Sequence, residues 1–362
     1  MSASTLEGVD GSNTRKKKEM SYVAGYRRVF VKLALVTIIA ITAVACVDSE
    51  VDEDSKTLVV YSGRSESLVG PLIEDFEKIS GHNVEVNYGS TGPLASTLLE
   101  EGSSSPADIF FAQDPGGLGA VDNLLSELSP DVLGSVPSWA RDPESKWVGT
   151  SGRARVIVYN TDMLSEADLP DSIEDFAKPE WKGRIGWPPT NSSLHAMITA
   201  MRQEWGEDRT KAWLEGIMAN EPKVYAKNTP TVAAAAAGEI EVGFVNHYYL
   251  HRFLAEEGES FAARNYYTRS ADPGSVVLVA GAGILDSSDN KEVAEQFLEF
   301  MLGTAGQQYF AAQTYEFPLN ENAKPANLLP ALEEITKPEI DLGDLTDLEG
   351  TQDLLREVGA LP

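Results

Sequence analysis

The chain is poor in cysteine, histidine, basic charge and long apolar runs. Its one cysteine excludes an intramolecular disulfide and any zinc or iron–sulfur centre built from several cysteines. Basic residues number 29 against 56 acidic ones, a formal net charge of −27, which argues against a phosphate-backbone partner such as nucleic acid. It contains no Gly-x-x-x-x-Gly-Lys-Ser/Thr phosphate loop, no dinucleotide fingerprint and no Gly-x-Ser-x-Gly nucleophile elbow. No nucleophile–base pair assembles elsewhere, so the chain reads as a binder rather than an enzyme. Apolar residues nevertheless make up 42% of its 362 residues, enough for a sizeable core and about two domains.

The longest apolar run, Leu33 to Ala45, has 13 residues and is short for a bilayer span, which takes about 20. It follows Arg15-Lys16-Lys17-Lys18, Arg27, Arg28 and Lys32, and it ends in Ala43-Val44-Ala45-Cys46. A basic region, a short apolar region and small residues before a cut site describe a secretory signal. Cys46 directly after the small residues resembles a bacterial lipobox, so residues 1–45 are expected to be a lipoprotein-type signal peptide and Cys46 the lipidated mature N-terminus. An uncleaved anchor helix is the competing reading. Residues 46–56 then form an acidic tether. Removing 1–45 leaves 22 basic and 53 acidic residues, a net charge of −31.

From Leu58 onward, strand and helix patterns alternate. Leu58–Tyr61 reads as a strand, and Leu68, Leu72, Ile73 and Phe76 mark a helix that Gly81 stops. Val84, Val86 and Tyr88 alternate as a strand, a helix covers Leu94–Glu101, and Asp108–Ala112 is a buried strand. This β-α-β-α-β order predicts a doubly wound, largely parallel sheet. In such sheets ligands sit beyond the carboxyl ends of the strands. The loops there are Ser62–Ser65, Gly89–Gly92 and Gln113–Gly117, all polar or glycine-rich.

A second α/β unit starts near Arg153. Its strands are Arg155–Tyr159, Arg184–Trp187 and Glu241–Val245. The loop Pro188–Ser193 leads into a helix over His195–Trp205, whose free backbone N–H groups would suit an anion. Helices are also expected at Thr231–Gly238, Glu292–Met301, Pro330–Ile335 and Asp353–Val358, and the apolar run Val276–Ala282 can cross back to the first unit. Two α/β lobes, export and a tether together describe a solute-binding protein that closes on its ligand and hands it to a membrane transporter.

Several segments sharpen this reading. They are Val60-Tyr61-Ser62-Gly63-Arg64, Ser105–Phe110, Ser151–Val156, Trp181–Gly186, Tyr225-Ala226-Lys227-Asn228, Asn246-His247-Tyr248-Tyr249 and Asp272-Pro273-Gly274. In order and spacing, over about residues 57–362, the chain resembles the ferric-ion-binding proteins of bacterial iron ABC transporters, with the class II periplasmic-binding-protein fold. The resemblance implies an α/β architecture of two lobes, each a doubly wound sheet flanked by helices, around a hinged cleft. The first lobe is expected at 57–153 and 278–328, the second at 154–277 and 329–362. It also implies a monomeric carrier serving an ABC permease at the outer face of the cytoplasmic membrane or in the periplasm.

In that family paired tyrosines ligate Fe³⁺, and they correspond to Tyr248 and Tyr249. Fe³⁺ is a hard ion that favours anionic oxygen, and it can displace a phenol proton whose free pKa is near 10. Neighbours on a strand point to opposite faces, so both can reach one ion only if the strand has ended. The chain departs from the family pattern where some members carry a His ligand, here Ser65, and a Glu ligand, here Gln113. Tyr61 and Gln113 are therefore further candidate ligands. Two phenolates leave one positive charge uncompensated, which a synergistic anion such as carbonate would balance. The resemblance assigns that anion to Arg153 and to Asn191, Ser192 and Ser193, with Asn228 and Asn246 lining the site; Arg64 and Ser65 are within reach, and Arg155 is held in reserve. His247 and His251 have a zinc-like spacing, but the strand before His247 makes a regular helix there doubtful. Tyr266 and Tyr267 read as strand packing. The alternative function is the same fold binding a small organic or phosphorylated anion without metal.

Overall fold

In the computed structural model, residues 56–362 are described. The expected signal peptide, the expected lipidation site Cys46 and the expected tether up to residue 55 lie outside them. Among the described residues no helix is long and apolar enough to cross a membrane.

The chain begins with strand β1 (Thr57–Ser62) and helix α1 (Glu66–Ser80). Leu68, Val69, Leu72, Ile73 and Phe76 form the buried stripe of α1 at helical spacing. Gly81 ends it at φ 76°, a left-handed conformation that glycine adopts freely, and donates its N–H to the Glu77 carbonyl. Strand β2 (Asn83–Tyr88), helix α2 (Thr91–Glu101) and the fully buried strand β3 (Ile109–Ala112) follow. β1 lies parallel to both β2 and β3, as the alternating pattern predicts.

Short helices α3 (Pro115–Ala120) and α4 (Pro130–Gly134) lead to β4 (Val148–Asn160), thirteen buried residues long. The second half then adds β5 (Ile185–Trp187), α5 (Ser192–Trp205), α6 (Glu207–Ala219), β6 (Lys223–Val224) and α7 (Asn228–Ala236). It continues with β7 (Val242–Asn246), α8 (Tyr248–Glu257) and β8 (Ala263–Tyr266). Strand β9 (Val277–Ile284) returns to the first half, and α9 (Lys291–Leu302), α10 (Thr304–Gln313) and α11 (Leu348–Glu357) complete the chain.

The strands run in the order β2-β1-β3-β9-β4-β7-β5-β6, with β8 also paired to β4. The sheet is less parallel than the sequence pattern suggests. β9 enters it from the opposite direction and lies antiparallel to β3 and to β4. β4 serves two neighbours in succession. Up to Ala154 it pairs with β9, and from Arg155 onward it pairs with β7. A small apolar patch of Ala154, Val277, Phe317, Leu329 and Ile335 lies at that changeover.

Candidate functional site

The three loops at the carboxyl ends of β1, β2 and β3 face one cavity of about 510 Å³. Gly63, Arg64 and Ser65, then Gly89–Gly92, then Gln113 form its near wall. Thr190–Ser192, Lys227, Tyr249 and Arg252 form the far wall, with Leu348 and Gln352 of α11 at one side. Close packing sets the near wall. A Cβ on Gly63 would lie 2.2 Å from the Thr91 hydroxyl, and one on Gly117 would lie 2.1 Å from the Thr91 methyl. Thr91 is thereby seated between two glycines, where its hydroxyl accepts the Gln113 N–H at 3.0 Å. Across the cavity, the Ser192 hydroxyl donates to Gln113 Oε1 at 3.3 Å.

Tyr248 and Tyr249 sit where β7 has ended. His247 is the N-cap and Tyr248 the first residue of α8, so successive side chains fan out by about 100° instead of 180°. Their rings stack with centroids 4.3 Å apart at 30°. Tyr248 is fully buried and its hydroxyl has no partner among the described residues, while Tyr249 is half-buried and lines the cavity. Burial and the adjoining Tyr248 hold the Tyr249 phenol well above its ordinary range, and the charge on Arg64 pulls against them. The regular helix that the sequence leaves doubtful here is present, beginning one residue after His247.

Three buried arginines surround the pair. Arg64 forms an ion pair with Glu316, which holds its guanidinium above its ordinary value although burial opposes the charge. Arg153 donates through Nη1 to Ser193 Oγ at 3.1 Å and through Nη2 to the Val279 carbonyl at 3.2 Å. Its fork is thus taken up by protein, and only Nε is left over. Arg155 donates Nη1 to Asn246 Oδ1 at 2.9 Å and keeps Nε and Nη2 unpartnered among the described residues. Burial, then the charge on Arg153, pushes Arg155 down to about 9, still charged at neutral pH. The Arg64 Nε and Nη1, the Asn246 amide nitrogen and both polar atoms of Asn228 also lack partners among the described residues. Each unmet buried polar group costs about 1–3 kcal/mol, and most of these are donors, so the arrangement is chemically able to receive an acceptor-rich group.

The other candidates divide. Asn191, Ser192 and Ser193 open α5, where the Asn191 side chain caps the helix by accepting the Ser193 N–H at 3.1 Å. Gln113 and Ser65 line the cavity. Tyr61 does not join the group. It is buried outside the cavity wall, and its hydroxyl donates to Glu101 at 3.0 Å. On β1 its side chain faces away from the Ser62 side, so the position reads correctly as strand end and wrongly as ligand.

The histidines are tied down structurally. His195 Nε2 bonds the Pro189 carbonyl at 2.7 Å, and His82 Nδ1 accepts from the Lys56 N–H at 3.3 Å. His247 Nδ1 accepts the Ala154 N–H at 3.2 Å, and its Nε2–H donates to the Tyr315 carbonyl at 2.8 Å. Burial, with His251 beside it, pushes His247 down to about 3, and burial pushes His251 down to about 4. No group of three or more His, Cys, Asp or Glu among the described residues is placed to hold a metal. The Tyr266 hydroxyl donates to the Pro170 carbonyl, and Tyr267 packs at the edge of two apolar clusters. Glu316, Arg252 and the α11 wall residues Leu348 and Gln352 are absent from the sequence reading, since none lies in a recognisable motif, whereas Lys227 lies in the quoted Tyr225–Asn228 segment without a role assigned to it.

Comparison with known proteins gives a consistent result. Residues 103–341 match the model of a family described as bacterial extracellular solute-binding protein. The major ferric iron-binding protein of Neisseria meningitidis serogroup B is 33% identical over 307 residues, covering 83% of this chain and 92% of its own length. Iron-bound HitA from Pseudomonas aeruginosa superposes with a TM-score of 0.81 at 31% identity, over 84% of this chain and 99% of that one. A Trichodesmium protein (IdiA, FutA) in complex with iron and citrate superposes at 0.73 with 26% identity, over 84% and 99%.

Proposed function

Because the chain belongs to the bacterial extracellular solute-binding proteins, in their ferric-ion-binding branch, we propose that it captures Fe³⁺ outside the cytoplasm and delivers it to an ABC transporter permease. Tyr248 and Tyr249 bind the ion as phenolates, and a synergistic anion completes the coordination. Gln113 is a further candidate for the ion at the near wall. The anion is held by Arg155, Arg64 and the remaining Nε of Arg153, beside Asn228, Asn246, Ser65 and the Asn191–Ser193 turn. Cys46 carries the lipid that tethers a monomeric carrier to the membrane. The chain binds and releases and carries out no turnover. The lobes divide at 57–153 with 278–328 and 154–277 with 329–362, a division supported by the change of partner along β4 after Ala154.

The observation that carries this reading is the stacked tyrosine pair at the head of α8, set among buried guanidinium groups with donors to spare. Two phenolates remove two charges from Fe³⁺, and a dianion removes two more. The buried cations then keep the anion in place. The test is a titration of pure protein with ferric ion and bicarbonate. Loading should produce a visible phenolate-to-iron band, and the Tyr248→Phe/Tyr249→Phe double variant should lose both band and retention. Unchanged retention in that variant would refute the ligand assignment.

One observation favours a second reading, the capture of a small anion without metal. Arg64, Arg153 and Arg155 are all buried and the Glu316 carboxylate pairs with the first of them, so positive charge is left over to attract anions even before iron arrives. Calorimetry with phosphate, citrate and sugar phosphates in the absence of iron separates the two readings. Submicromolar binding of one of them, together with no retention of ferric ion, would replace the first reading by the second.

A further inference from the structure

Three consecutive residues between α10 and the C-terminal segment contact β4, Arg64 and the residue ahead of the tyrosine pair. Tyr315 gives its carbonyl to His247, the residue immediately before the tyrosine pair. Glu316 is fully buried and gives one carboxylate oxygen to Arg64 and the other to the Ser151 hydroxyl on β4. Phe317 exchanges backbone hydrogen bonds with Gly152 and stacks its ring on His247 at 4.7 Å. Tyr315 sits at φ 57°, a left-handed conformation unusual for a residue with a side chain, which persists only where its surroundings fix it.

We propose that Glu316 is a positioning residue for the metal and anion site, an inference that rests on the ferric reading above. It acts in two ways. First, its single bond to Arg64 Nη2 fixes the guanidinium so that Nε and Nη1 remain free, and the charge on Arg64 is felt by both tyrosines. Second, its carboxylate offsets the buried positive charge of Arg64, the arginine it pairs with, where a trivalent cation must enter. Without it, an incoming cation meets one more unit of repulsion and an incoming anion one more unit of attraction. A role confined to folding would weaken both kinds of ligand. A role in site electrostatics moves them in opposite directions.

That difference is measurable with Glu316→Gln, which keeps the shape and removes the charge, and with Glu316→Asp, which keeps the charge. Iron retention is read against a competing chelator, and anion affinity by calorimetry of the iron-free protein with inorganic phosphate. The expected result for Glu316→Gln is iron held about tenfold more weakly and phosphate bound several-fold more tightly. Glu316→Asp should recover most of the iron affinity. Both affinities falling together, or neither changing, would overturn the proposal. Failure of the ferric reading itself would show separately, as a Tyr248→Phe/Tyr249→Phe variant that still holds iron.

Discussion

Replacing Arg155 by Met should make the empty protein more stable and its ligand less able to stabilise it. A guanidinium that burial pushes well below its ordinary range, down to about 9, is on the order of several kcal/mol worse off charged in the fold than in water, an upper bound on what its removal can return. Buried charges replaced by apolar groups of similar volume have returned about 1–4 kcal/mol. Against this stands the bond to Asn246, about 1 kcal/mol, lost with the side chain. A net gain of about 2 kcal/mol follows, which at roughly 2 °C per kcal/mol for a chain of this size raises Tm by about 4 °C. Scanning calorimetry of the iron-free protein gives the first number. The same scan with saturating ferric ion and bicarbonate gives the second, since a ligand that binds only the folded form stabilises it by mass action. The parent should gain strongly on loading and Arg155→Met much less. An Arg155→Met protein that melts below the parent, or gains as much from ligand, would refute the view that this charge is held in the fold for an anion.

Other outcomes follow from the same geometry. Burial favours the neutral Tyr249 phenol, so loading must expel protons from the pair. Two protons should appear per iron bound beyond those from the anion, and retention should fall about a hundredfold per pH unit on acidification, measured by pH-stat titration and chelator competition. A slope near zero would remove the phenolates from the account. Tyr61→Phe should leave iron retention unchanged and cost about 1 kcal/mol in denaturant unfolding, because it deletes only the hydrogen bond to Glu101.

The parts legible from sequence were those with a local signature. Leu68, Leu72, Ile73 and Phe76 announce α1, and Gly81 closes it, because helix and cap are written in neighbouring residues. The three loops of the near wall were legible for the same reason. The first five residues of β4, Val-Gly-Thr-Ser-Gly, show no alternation, and they form a strand because β9 supplies the hydrogen bonds. Helix α8 was hidden because its first residues, Tyr248 and Tyr249, follow a strand without a Ser, Thr, Asp or Asn cap directly ahead of them. Tyr61 showed its place on a strand end but not its face, which Glu101, 40 residues on, decides. Glu316 is 252 residues from Arg64, beyond the reach of any pattern along the chain.

Arg153 and Arg155 stand on either side of the point where β4 exchanges one neighbouring strand for another. A torsion rod that carries its own sensors cannot twist without moving them. Under the proposed anion seat, rotation about that point would re-aim both guanidinium groups, so opening the cleft and loosening the anion would be one mechanical act. On the ferric reading proposed above, release of the ion would then need no separate trigger, because parting the two pairings of β4 would itself dismantle the seat.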